Sequence, residues 1–106
     1  MTDIHNLEGQ DEEEIRASQH EKAKELKGRA DKDLESVMST ESGRRFIWEM
    51  LADAGVFQSS FTGDNNATNF KEGQRNAGLR IFSRVMEVCP DMYLVMAKEA
   101  KEDEQQ

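Results

Sequence analysis

Apolar residues recur at intervals of three and four along the chain, and nowhere alternate at period two for long enough to make a strand. The first stripe is Ala23, Leu26, Ala30, Leu34 and Val37, which share one helical face. Upstream of it, Asp11 can cap a helix, and Glu12, Glu13 and Glu14 would place three carboxylates at the positive end of its dipole. The pattern predicts a first helix from about residue 11 to Met38. The helix is marginal: Glu12–Arg16 attracts at i,i+4, Glu21–Glu25 repels, and Gly28 weakens the middle by about 1 kcal/mol relative to alanine. The C-terminal end, residues 34–38, is expected to dock on the core.

Ser39 and Thr40 break this helix and can cap a second, from about Glu41 to Ala54, with Phe46, Ile47, Met50, Leu51 and Ala54 as its buried stripe. Gly55 follows directly, as a left-handed C-cap would. Residues 56–67 are rich in Ser, Gly, Asp and Asn and read as a turn-dominated connector. Thr68 or Asn69 is the expected cap of the third helix, Asn69 with Glu72 having capping-box spacing. Phe70, Ala77, Ile81, Val85 and Val88 then recur at helical spacing. Cys89-Pro90 stops this helix and starts a fourth with proline in its first turn, continued by Met92, Tyr93, Val95, Met96 and Ala100.

Composition sharpens this into an organisation. Residues 1–33 hold ten acids, six bases and no aromatic, too little apolar surface to offset an ordering entropy of roughly 1–2 kcal/mol per residue. Residues 34–97 hold all seven aromatics and five of the six methionines. The expected fold class is therefore all-α: a small helical bundle at 34–100, a charged helical extension at 11–33, and disordered tails at 1–10 and 101–106.

The net charge of −8 argues against free nucleic acid as the ligand, so direct nucleic-acid binding is not expected. No apolar run approaches the ~18 residues of a membrane span, and the polar start lacks the pattern of a signal peptide. A single cysteine, Cys89, excludes an internal disulfide and points to a reducing compartment.

Catalytic constellations are missing from the pattern. His5 and His20 both lie in the charged third, so a metal site would have to assemble across the chain without ligand spacing. Cys89 has no histidine in its own domain to act as base. Glu49 and Asp53, four apart, read as a solvated face beside Arg44 and Arg45. The Asp64-Asn65-Asn66 run fails as a calcium loop, because Arg75 stands where the bidentate glutamate is needed. The expectation is a protein that is not an enzyme and takes no cofactor or metal.

Two features rise above this background. Phe57 and Phe61 sit in a polar connector, where they either fold back as anchors or present an interface. Lys71, Arg75, Arg80 and Arg84 make the third helix locally basic in an acidic protein; they either pair with acids such as Glu41, Glu49 and Asp53 or dock an acidic partner. Trp48, beside Arg44 and Arg45, can belong to the core edge or to either surface.

The run Leu34-Glu35-Ser36-Val37-Met38-Ser39-Thr40-Glu41-Ser42-Gly43-Arg44-Arg45-Phe46-Ile47-Trp48, then Ala54-Gly55-Val56-Phe57-Gln58-Ser59-Ser60-Phe61-Thr62-Gly63 and Glu72-Gly73-Gln74-Arg75-Asn76-Ala77-Gly78, resembles a family of small bacteriophage proteins typified by one from a Bordetella short-tailed phage. The resemblance implies a product of the phage head and tail gene module, made in the host bacterial cytoplasm, with no catalytic residue. It places Arg44, Arg45, Phe57, Phe61 and Arg75 in the matching blocks, either as interface residues or as parts of a shared fold core. The expected function is thus a virion or virion-assembly protein acting through protein–protein contact. Its expected partner is a phage portal, capsid or tail component, with homo-oligomerisation as a further possibility. The other reading is an acidic phage regulator that binds and inhibits a host nucleic-acid enzyme. The interface candidates are Arg44, Arg45, Trp48, Phe57, Phe61, Arg75, Arg80 and Arg84.

Overall fold

A computed structural model describes residues 4–59 and 61–106, with side chains from residue 11 onward. Four helices follow one another: α1 (Ile4–Met38), α2 (Glu41–Asp53), α3 (Asn65–Val88) and α4 (Pro90–Glu104), with no strand among the described residues. The fold is a small all-α bundle. Contacts divide the chain into two units, residues 1–33 and 34–106.

In the first unit the helix is not confined to the stretch after Asp11. It begins at Ile4, so the disorder expected of residues 1–10 is not what the backbone shows from residue 4 on; residues 1–3 lie outside the described ones. Glu12, Glu13 and Glu14 therefore sit inside the helix rather than at its first turn. From residue 11 to 33 every side chain except that of Asp31 is exposed, and the helix has no strongly apolar face. Arg16 lies 3.7 Å from Glu12, the i,i+4 pair that the sequence places there.

The second unit is built on Met38, Leu51, Val56, Val85 and Met96, all buried, with Leu34, Ile47, Trp48, Leu79, Ile81, Phe82, Met92 and Tyr93 among those packed round them. Met38 and Leu34 bring the end of α1 onto this core, as expected of residues 34–38, but Val37, the last member of the stripe, is exposed. Thr40 caps α2, its hydroxyl accepting from the Gly43 amide at 3.0 Å. Gly55 adopts φ +77°, the left-handed geometry that terminates the helix without a Cβ penalty. Arg44 meets Glu99 and Trp48 meets Tyr93, so α2 and α4 run antiparallel.

Two stripes turn out rotated from their expected positions. On α2 the inward residues are Leu51 and, beside it, Ile47 and Trp48, while Phe46 and Met50 are exposed. Phe46 lies about half a turn from Arg44, Trp48 and Leu51, the residues that reach α4 or the core. On α3 the buried positions are Gly78 and Val85, with Ile81 and Phe82 half-buried, whereas Phe70 and Ala77 face out. Gly78 explains the rotation. A Cβ built there would stand 2.6 Å from both Ala54 Cβ and Val56 Cγ2, so α3 meets the end of α2 through its glycine face.

The third helix also starts earlier than expected. Asp64 Oδ1 accepts from the Asn66 amide at 3.0 Å and caps α3 ahead of Thr68 and Asn69. The Thr68 hydroxyl instead accepts from the Thr62 amide at 3.1 Å, tying the helix back to the connector. At the other end of the chain α4 continues to Glu104, so the frayed tail expected at 101–106 is mostly helical. Its Lys, Glu and Ala residues are strong helix formers, and Lys101 complements the dipole in the last turn.

Candidate interaction surface

Side-chain chemistry sorts the eight candidate residues into separate places. Arg44 is engaged within the bundle. Its Nε donates to Glu99 Oε1 at 2.5 Å, Nη2 to Glu99 Oε2 at 3.2 Å and Nη1 to the Met38 carbonyl at 2.9 Å. This fork joins the end of α1, the start of α2 and the end of α4. The hydrogen bond to Arg44 holds the Glu99 carboxyl below its ordinary range, and the same bond raises the already high Arg44 pKa. Arg45 next to it is exposed, 3.9 Å from Glu41, and the two arginines line one cleft with Trp48, Met96 and Glu99.

Trp48 is shared between core and surface. Its ring stacks on Phe57 with centroids 4.7 Å apart and tilts against Tyr93 at 6.5 Å, while Tyr93 makes an edge contact with Phe82. Phe57 thus folds back from the connector onto α2, though it stays 46% exposed. Phe61 does not follow it: it is 80% exposed. The backbone just beyond it is held by the Thr62 hydroxyl, which shares 2.9 Å with that of Thr68 and accepts from the Asp64 amide at 3.2 Å. The two phenylalanines that the sequence groups together have different surroundings.

The basic row on α3 is likewise divided. Arg84 lies 3.7 Å from Glu87 on its own helix. Lys71, Arg75 and Arg80 make no ion pair with a described residue. Arg75 lines a polar cleft between the last turn of α2, Gln58 and Ser59 of the connector, and Lys71 and Gln74. Its Nε is buried there without a hydrogen-bond partner. Leu79, Arg80 and Arg84 share a shallow outer surface of α3.

The sequence missed part of the exposed apolar surface. Phe46, Phe70 and Leu94 are 59%, 68% and 68% exposed. Spacing alone places the first two in core stripes. The signal available was their neighbours: Phe46 shares its side of α2 with Glu49 and Asp53, and Phe70 sits between Asn69 and Lys71.

Cys89, at the α3–α4 junction, is partly buried, and burial pushes its thiol pKa up, with the Glu35 charge adding to the effect. Among the described residues no group of three His, Cys, Asp or Glu is placed to hold a metal, and no helix is long and apolar enough to cross a membrane.

Residues 34–98 match the family model of the Bbp19-like phage protein. The chain belongs to that family. The Bbp19-like match begins where the second compact unit begins, at Leu34, and takes in α2, α3 and most of α4. The charged residues 1–33 lie outside it. Neither a curated protein nor a solved structure matches the chain. Arg44, Trp48, Phe57, Phe61 and Arg75 all stand within the Bbp19-like segment, and so do Phe46, Phe70 and Leu94.

Proposed function

We propose that this Bbp19-like phage protein is a virion or virion-assembly component that works by binding another protein and catalyses nothing. One observation carries the reading: four of its five phenylalanines, Phe46, Phe57, Phe61 and Phe70, are exposed on a unit of about seventy residues. A phenylalanine left in water forfeits about 1.5–3 kcal/mol relative to burial. A small domain with a core of five buried apolar residues gains most by covering such rings with a partner. Phe61, presented just ahead of a hydrogen-bonded turn, has the character of an interface anchor. Arg80 and the Lys71–Arg75 cleft add positive charge suited to carboxylates on the partner. The host bacterial cytoplasm is where assembly of this kind takes place, and a portal, capsid or tail subunit is the partner class.

Quantitative mass spectrometry of purified, nuclease-treated virions and of infected-cell lysate tests this. Presence in particles or assembly intermediates at a fixed ratio to portal, capsid or tail subunits supports the proposal. Absence from both, with synthesis confined to early infection, overturns it in favour of a regulator of a host enzyme.

A further inference from the structure

We infer that α1 is a pairing helix, and that its partner is the α1 of a second copy of this chain, laid antiparallel with its centre near residues 20 and 21. The inference is independent of the assembly role and rests on a different part of the molecule.

The first observation is the helix itself. Residues 11–33 form more than six turns, about 35 Å, with side chains in water almost throughout. A helix of this kind, polar nearly all round, gains little from tertiary packing. Yet Ile15 and Leu26 are held 54% and 45% exposed. They are eleven residues apart, three turns of helix, and so lie on one line along the surface. Ala23 and Ala30 flank Leu26, and a shallow groove lined by Asp11, Glu14, Ser18 and Gln19 surrounds Ile15.

The second observation is symmetry in the sequence. The large aliphatics on α1 are Ile4, Leu7, Ile15, Leu26, Leu34 and Val37. About the point between residues 20 and 21, Ile15 mirrors Leu26 and Ile4 mirrors Val37, while Leu34, the mirror of Leu7, packs on the bundle core. Reversing the helix about that point superposes its aliphatic positions on themselves. An isologous contact requires this self-complementarity.

Charge chooses the direction. Residues 11–21 carry five acids (Asp11, Glu12, Glu13, Glu14 and Glu21) against Arg16, whereas residues 22–33 carry five bases (Lys22, Lys24, Lys27, Arg29 and Lys32) against three acids. Parallel pairing sets the Asp11–Glu14 cluster beside its own copy. Antiparallel pairing sets it beside the basic half, while Ile15 meets Leu26 of the second copy. Opposite charges flanking an apolar seam fix partner orientation in this way. Gln19 and Lys22 near the seam keep the association weak.

The test uses the full chain with Cys89→Ser as background. Analytical ultracentrifugation at submillimolar concentration is expected to show a dimer. Raising the salt concentration is expected to weaken it, because the orienting charges are exposed. Ile15→Cys and Leu26→Cys chains are then mixed and oxidised. The antiparallel register yields the mixed disulfide and little self-linked Ile15→Cys product. A monomer at that concentration overturns the inference, and so does preferential self-linking of Ile15→Cys, which marks parallel pairing. An Ile15→Glu, Leu26→Glu double variant that remains helical by circular dichroism is expected to be monomeric. If it still dimerises, pairing resides in the bundle and the inference fails.

Discussion

Gly78 and Gly73 lie five residues apart on the same helix and make opposite predictions. A methyl group at Gly78 collides with Ala54 and Val56, whereas one at Gly73 meets nothing within 4 Å. Gly78→Ala is expected to destabilise the protein by about 1–3 kcal/mol through overpacking. Gly73→Ala is expected to stabilise it by about 0.5–1 kcal/mol by stiffening the unfolded chain. Thermal denaturation followed by circular dichroism at 222 nm, a wavelength that reports helix, separates the two signs. Arg44 and Glu99 give a second test at this scale. The Glu99 carboxyl is held below its ordinary value in the folded chain, so it contributes stability that is present above the unfolded value and lost as pH falls through the folded one. Glu99→Gln is expected to lower the melting temperature at neutral pH, and the difference from the parent is expected to narrow in acid. A series of melts from neutral to acidic pH measures it.

At the scale of the element, end signals were read more reliably from the sequence than faces. Thr40 and Gly55 do at the ends of α2 what their chemistry predicts, and Cys89-Pro90 breaks the chain between α3 and α4. Each of those signals acts within one turn of backbone, so it survives whatever packs nearby. Faces are decided by neighbours distant in sequence. The stripe Phe70, Ala77, Ile81, Val85 has good helical spacing, yet α3 presents Gly78 to α2 because only a glycine permits the approach. The position of Phe46 follows from Arg44 reaching Glu99 fifty-five residues away, a contact no local pattern contains. The start of α3 departs from the sequence expectation for a smaller reason: Asp64, Thr68 and Asn69 are all competent caps, and the connector uses the first while drawing Thr68 into its own hydrogen bonds. Asp64→Ala is therefore expected to cost about 1 kcal/mol and to fray the first turn of α3, visible as faster amide exchange at Asn66.

Across the whole molecule, the side chains that build the core are not those proposed to bind a partner. The buried set is Met38, Leu51, Val56, Val85 and Met96, and none of the exposed phenylalanines belongs to it. Phe61→Ser and Phe70→Ser are accordingly expected to leave stability within about 0.5 kcal/mol of the parent, while reducing incorporation of the protein into assembling particles. A co-sedimentation assay with assembly intermediates, run beside thermal melts, checks both halves. Among the candidate residues, the sequence singled out Phe61 for its polar connector and Arg75 for its basic row, and the structure gives them an exposed ring and a cleft-lining guanidinium. The sequence could not distinguish Arg44, whose guanidinium is engaged inside the bundle, from Arg45, which is not.

The fork from Arg44 to the Met38 carbonyl and Glu99 also bears on synthesis. Tyr93, Met96 and Glu99 all belong to α4, and without them Trp48, Leu51 and the end of α1 lose the surface on which they meet. A chain lacking α4 loses Met96 from the core and Glu99 from the fork, and is expected to be unfolded and open to proteases. A stop codon ahead of Pro90 should therefore remove the protein from the infected cell rather than leave a shorter, working version of it.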